Sequence, residues 1–171
     1  MPAELTQDAE RKPAESRGFA AEANPDDLSS LLVTTFYVRD ALFALDTALV
    51  EEVVRPRRTT RVAHSPGYVL GIMNLRGKIV TVLDLAQILQ LGKTTIGEDS
   101  RLYIVPDGDG MAGLLVDRVA DVIEVDARAL EPLPASVRGA EGRFLRGIAR
   151  TGKRLVTVLD ASAVLALESV V

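Results

Sequence analysis

Cysteine and tryptophan are absent from the 171 residues of this chain, and histidine occurs once, as His64. Without thiols there is no disulfide, no thiolate nucleophile and no thiolate metal site. With a single imidazole, a zinc centre would have to be built almost wholly from carboxylates, so no metal is expected. Aromatic residues make up only 4% of the chain, leaving little surface on which bases could stack. The basic excess that neutralises phosphates is missing too, so nucleic acid is not an expected partner. Arg, Asp or Gly interrupts every strongly apolar segment well short of the roughly 18 residues a membrane helix needs, so no membrane insertion is expected. The first residues lack the cationic end and apolar run of a secretory signal, which points to a cytoplasmic protein. Neither GxxxxGK nor GxGxxG occurs, so no phosphate-cradling loop and no nucleotide cofactor is expected.

The charge is unevenly distributed. The chain holds 20 Lys+Arg against 24 Asp+Glu. Residues 1–30 carry seven acids (Glu4, Asp8, Glu10, Glu15, Glu22, Asp26 and Asp27) and three bases (Arg11, Lys12 and Arg17). This stretch alone accounts for the net −4, leaving 17 acids and 17 bases from residue 31 onward. Its Ala, Glu, Pro, Asp and Ser cannot bury enough apolar area to offset ordering entropy, so it is expected to be a disordered acidic tail. The domain proper is expected over residues 31–168.

From Leu31 the pattern turns to short runs of Val, Ile, Leu, Thr and Tyr broken by Gly, Pro or charge, which is strand patterning. Ten strands are predicted: Leu32 to Val38, Ala41 to Leu45, Leu49 to Arg55, Val69 to Leu75, Lys78 to Leu83, Leu102 to Val105, Ala112 to Val116, Val119 to Val125, Phe144 to Ala149 and Leu155 to Leu159. Asp84 and Asp160 are placed to cap short helices after the fifth and tenth, the first reaching Gly92 and the second running to near the chain end. An internal repeat accompanies this plan. Val80-Thr81-Val82-Leu83-Asp84 recurs as Val156-Thr157-Val158-Leu159-Asp160, 76 residues later. Upstream, Gly71-Ile72 matches Gly147-Ile148, and Val50-Glu51-Glu52-Val53 corresponds to Val119-Ala120-Asp121-Val122. The fold class is therefore all-β: two related five-stranded lobes, each closing into a small barrel to remove exposed edges, with short helices after the fifth and last strands.

Catalytic chemistry finds no anchor. Asp107-Gly108-Asp109-Gly110 lacks the third acid and the twelfth-position Glu of a calcium loop, and reads as a hairpin turn. His64 and Ser65, being adjacent on an extended chain, would point apart, as would Glu51 and Glu52. Arg55, Arg57, Arg58 and Arg61 put four cations within seven residues, suited to an acidic protein surface or anionic lipid if not simply solvated. Arg76 stands out in the turn Asn74-Leu75-Arg76-Gly77, because Asn and Gly favour a hairpin whereas Arg does not. Its planar fork could pair with a carboxylate such as Glu52.

The sequence Gly71-Ile72-Met73-Asn74-Leu75-Arg76-Gly77, followed by the apolar strand Ile79 to Leu83 and then Asp84-Leu85, resembles the CheW-type coupling adaptors of bacterial chemotaxis. Val50-x-Glu52-Val53 and Gly113-Leu114-Leu115-Val116-Asp117-Arg118-Val119 support that resemblance, which spans about residues 31–168. It implies two SH3-like barrels packed side by side and a non-enzymatic scaffold without cofactor. The implied role couples the cytoplasmic tips of methyl-accepting chemoreceptors to the regulatory domain of the histidine kinase CheA, in arrays at the inner membrane. The alternatives are a stand-alone SH3-like protein-binding module and an adaptor of a related non-flagellar pathway. Val50, Glu52, Gly71, Asn74 and Arg76 match the family's receptor-coupling positions, and kinase-contact residues stay unassigned. Thr81 departs from the family, which often has Pro there, and the acidic segment is longer than usual.

Overall fold

The computed structural model describes residues 29–135 and 140–167. The expected acidic tail therefore falls almost wholly outside the described residues. Ten strands run in chain order: β1 Ser30–Val38, β2 Ala41–Asp46, β3 Glu52–Val54, β4 Val69–Leu75, β5 Lys78–Asp84, β6 Arg101–Asp107, β7 Gly110–Val116, β8 Arg118–Asp126, β9 Leu145–Thr151 and β10 Arg154–Leu159. Two short helices, α1 Leu85–Ile88 and α2 Ala161–Leu165, follow β5 and β10. All ten predicted strands and both helices are present.

The strands form two five-stranded sheets, ordered β8-β1-β2-β10-β9 and β3-β6-β7-β5-β4. Each is a lobe, and the two orders are equivalent. Read from the same edge, every strand occupies the position of its counterpart five strands away in the chain, and β2–β10 and β5–β7 are the parallel pairs. The repeats are nevertheless not the lobes. The first hairpin of each repeat joins the three later strands of the other, so β1 and β2 complete a sheet with β8 to β10, while β6 and β7 complete one with β3 to β5.

Each sheet closes in the same way. Past β3, Thr60 exchanges two backbone hydrogen bonds of 2.8 Å with Ile72 on β4. Past β8, Glu131 exchanges bonds of 2.8 and 2.9 Å with Ile148 on β9. These bridges satisfy the edges that an open sheet would expose. They also explain the repeated Gly-Ile pair, since a Cβ on Gly71 would lie 2.3 Å from the Thr60 carbonyl oxygen and one on Gly147 would lie 2.9 Å from that of Glu131.

Strand alternation sorts the apolar residues into three clusters. Val33, Leu42, Ala44, Val156 and Val158 fill the β1 lobe, and Met73, Leu75, Val80, Val82, Leu102 and Ile104 fill the other. The opposite faces meet between the lobes, where Phe36, Phe43 and Leu45 pack with Leu83, Tyr103 and Leu114. Phe36 and Tyr103 have ring centroids 4.8 Å apart, and the Tyr103 hydroxyl is 3.0 Å from Thr34 Oγ1 across the junction. Burial raises the Tyr103 phenol above its ordinary pKa, an effect that the Thr34 hydrogen bond partly offsets. Because the lobes share this core, sliding one past the other would expose fully buried aromatic and aliphatic side chains, each worth about 1.5–3 kcal/mol.

Several boundaries shift by one to three residues, and three of the differences have a local cause. β3 does not begin at Leu49, because Asp46 Oδ1 accepts from the Ala48 backbone N–H at 2.9 Å and caps a one-turn 3-10 helix over Thr47–Leu49. β9 does not begin at Phe144, which ends the 3-10 helix Ala140–Phe144. The first helix stops after Ile88 instead of reaching Gly92, since Gln90 and Gly92 both take positive φ values (57° and 96°). The predicted caps are present: Asp84 accepts from Ala86 and Asp160 from Ala163. Asp84 is fully buried and also takes 3.0 and 2.7 Å hydrogen bonds from Thr94 N and Oγ1, pinning the loop after α1. The second helix likewise stops early, after Leu165 with Ala166 as its C-cap, short of the predicted end at residue 168.

Candidate functional site

Barrel closure brings together two segments at opposite ends of one sheet's hydrogen-bonded order. Between β4 and β5 the chain turns through Arg76 and Gly77, whose φ values of 52° and 86° are those of a tight two-residue hairpin. Asn74 Oδ1 accepts from the Gly77 N–H at 2.9 Å and braces the turn. An arginine in this left-handed region is held against its own preference, at a cost of roughly 1–2 kcal/mol. What it gains is direction. The Arg76 guanidinium reaches β3 and binds the Glu52 carboxylate through both arms, Nη2 to Oε2 at 3.0 Å and Nη1 to Oε1 at 3.2 Å.

The pair lies over a shallow groove lined by Glu51, Leu75, Lys78, Ile104 and Met111. The Arg76 side chain is 77% exposed and that of Glu52 27%, so the carboxylate is partly sheltered while the cation faces outward. An exposed ion pair of this kind contributes about 0–1 kcal/mol to stability. Its geometry serves better to fix a planar group, with unused N–H donors, at a rim beside apolar side chains. That combination suits recognition of a protein surface.

The five positions singled out from the sequence take different parts. Glu52 and Arg76 meet as expected, and Asn74 braces the turn that presents Arg76. Gly71 is buried under the Thr60 bridge, where its φ of 136° and the missing Cβ allow closure. Val50 follows the 3-10 turn and packs, half-buried, against the inter-lobe core. The Asp107 to Gly110 segment is the β6–β7 hairpin, with Gly108 at a φ of 54°. His64 and Ser65 lie in the loop before β4, and the Ser65 hydroxyl donates to the Val62 carbonyl at 2.9 Å.

A second pair, with no clear signal in the sequence, occupies the other lobe. Arg154 at the start of β10 reaches Asp121 on β8, Nη1 to Oδ2 at 3.0 Å, as Arg76 reaches Glu52. The repeat already aligned Asp121 with Glu52, so the acid was legible. The arginine was not, because it lies at the first strand residue instead of in the turn. β8 bulges at this point, Ala120 and Asp121 standing opposite the single β1 residue Thr35, whose hydroxyl donates to the Asp121 carbonyl at 2.7 Å and accepts from its N–H at 2.9 Å.

Comparison with known proteins identifies relatives along nearly the whole described length. The sequence model of the CheW-like domain matches residues 32–169. The chain is similar to the chemotaxis protein CheW of Helicobacter pylori, at 30% identity over 91% of this chain and 92% of that one. It is similar to the CheW of Bacillus subtilis at 31% identity, covering 78% and 86%. It resembles the protein FrzA of Myxococcus xanthus at 27% identity, covering 89% and 93%. Among solved structures, the scaffolding protein TtCheW of Thermoanaerobacter tengcongensis superposes with a TM-score of 0.70 at 34% identity, covering 77% of this chain and 84% of that one.

Proposed function

The chain belongs to the CheW-like domain family, and from that premise we propose how it works as a chemotaxis scaffold that couples chemoreceptors to the kinase CheA. The receptor tip docks at the rim formed by Glu52 and Arg76, and the kinase regulatory domain docks elsewhere on the two lobes. Coupling is non-enzymatic: the adaptor holds two partners in one geometry and lets the conformation of one bias the other. Such a bias needs only a few kcal/mol of differential contact. No helix among the described residues is long and apolar enough to cross a membrane; in this proposal, recruitment to receptor arrays comes through protein contacts.

The observation that carries the site assignment is the bidentate Arg76–Glu52 pair on a strained turn. Stability gains little from it, so the strain is better accounted for by presentation of the guanidinium. Asn74 and Gly71 act by shaping the turn and closing the barrel beneath it, and Val50 by seating β3 on the shared core. The test is co-sedimentation of the full chain with receptor-containing membranes and CheA, together with kinase activity. Arg76→Glu should weaken receptor coupling, and adding Glu52→Arg should restore part of it. A double variant no better than the single one would remove the pair from the coupling site.

A further inference from the structure

Most arginines in the body have a partner. Arg39 donates to the Leu91 and Lys93 carbonyls, Arg101 to those of Glu98 and Ser100, and Arg118 lies 3.6 Å over the Tyr37 ring. Arg76, Arg128, Arg150 and Arg154 each face a carboxylate. Four that lack one fall within a span of seven residues. Arg55, Arg57, Arg58 and Arg61 are all exposed, and none makes a hydrogen bond or ion pair with the described residues. They occupy the segment from the end of β3 to the Thr60 bridge, a run held by backbone pairing to β4 and by the 3.3 Å hydrogen bond from Thr59 Oγ1 to the Leu70 carbonyl. The backbone is thus fixed while four guanidinium groups are left to solvent. Beside them opens a groove lined by Arg61, Val62, His64, Pro66 and Gly67.

We propose that this arginine ridge is a docking surface for the acidic segment at the start of the same chain, residues 1–28. The argument is charge complementarity. The body from residue 31 is neutral, 17 against 17, and all of the net −4 lies in residues 1–30. The ridge is a concentrated cation run without internal partners, and that segment carries the molecule's net negative charge, seven acids against three bases. A stretch of 28 residues at coil dimensions reaches roughly 30 Å, enough to pass from one small lobe to the next. Guanidinium groups bind carboxylates through two parallel hydrogen bonds, so Asp and Glu spaced along a peptide are suitable occupants. A neutral body attracts an anionic bilayer little, and the acidic segment would be repelled by one, which favours the peptide over lipid. Since Arg55 lies three residues beyond Glu52, the docked segment would border the receptor-facing rim and compete there with any acidic partner.

The absence of cysteine makes the test direct. A nitroxide label on Ala23→Cys in the full chain would be the sole thiol adduct, and its contacts can be read from amide signal loss in NMR spectra. Signals from residues 55–61 should be lost selectively at low salt. They should return at about 1 M salt, where the Debye length is about 3 Å. They should also return in the Arg57→Gln/Arg58→Gln full chain, which keeps its fold because neither side chain is packed. Evenly spread loss, loss centred on another surface, or loss indifferent to salt would overturn the proposal. So would loss appearing only in mixed samples of labelled and unlabelled chains, which would assign the contact to a neighbouring copy. Arginine-dependent binding of the full chain to phosphatidylserine vesicles at physiological salt would overturn it in favour of lipid.

Discussion

Replacing Gly71 by alanine separates two costs that usually come together at a glycine. At Gly77, with φ 86° and nothing within 4 Å of a built Cβ, the only penalty is the left-handed backbone, about 1–2 kcal/mol. At Gly71, with φ 136°, the same kind of penalty applies, but the new methyl would also sit 2.3 Å from the Thr60 carbonyl oxygen and 2.8 Å from its carbon. Backbone on both sides leaves no flexible group to give way. The closing segment must lift, which costs the two 2.8 Å hydrogen bonds between Thr60 and Ile72, each worth about 0.5–1.5 kcal/mol net. Adding strain of about 1–3 kcal/mol, Gly71→Ala should lose about 2–6 kcal/mol, a sizeable fraction of the roughly 5–15 kcal/mol of a typical domain. Urea unfolding of both variants measures the difference, and hydrogen exchange at the Thr60 and Ile72 amides locates it. If Gly71→Ala unfolds at the same urea concentration as Gly77→Ala with those amides still protected, the barrel is not closed by this crossing. The coupling role implied for Gly71 would then need a direct contact to explain it.

Two further outcomes follow from buried polar groups. Asp84→Ala removes the acceptor for Thr94 N and Oγ1 as well as the helix cap, and should cost about 3 kcal/mol by unfolding; a loss under about 1 kcal/mol would mean that water replaces the carboxylate freely. Tyr103 has a raised pKa in the folded chain, so its contribution is complete below the unfolded value of about 10 and is lost as pH rises through the folded one. Tyr103→Phe should therefore flatten the fall in stability above about pH 10 while losing a modest amount at neutral pH; an unchanged alkaline limb would assign that fall to other groups.

Much of this fold was legible because its strands are amphipathic on a period of two and are punctuated by turn residues. The repeat identified β4, β5 and α1 with β9, β10 and α2 because those segments share both a core pattern and a capping Asp. The exchange of hairpins between repeats was invisible, since each strand's pattern states that it has a buried face but not which strand lies beside it. Glu52 and Arg76 could be paired from the sequence because a guanidinium in a hairpin turn lacks a local purpose. Gly71 was legible as special, yet its role was not: the Thr60 carbonyl that excludes a side chain arrives by tertiary closure. The β3 start was misplaced for a local reason, the Asp46 cap.

The strand order has a mechanical corollary. The β1 lobe is made from both ends of the described chain, whereas the second lobe is the unbroken stretch from β3 to β7, joined through residues 47–51 and Asp117. Because β1 is antiparallel to β2 and β2 is parallel to β10, both described ends leave the β1 lobe at the same end of its sheet, and tension between them would peel β1, β2 and β10 apart one pairing at a time. The second lobe, which carries Glu52 and Arg76, would hang from a two-strand neck outside the line of force. A pulled molecule would thus lose half its structure while the rim proposed for receptor docking kept its shape.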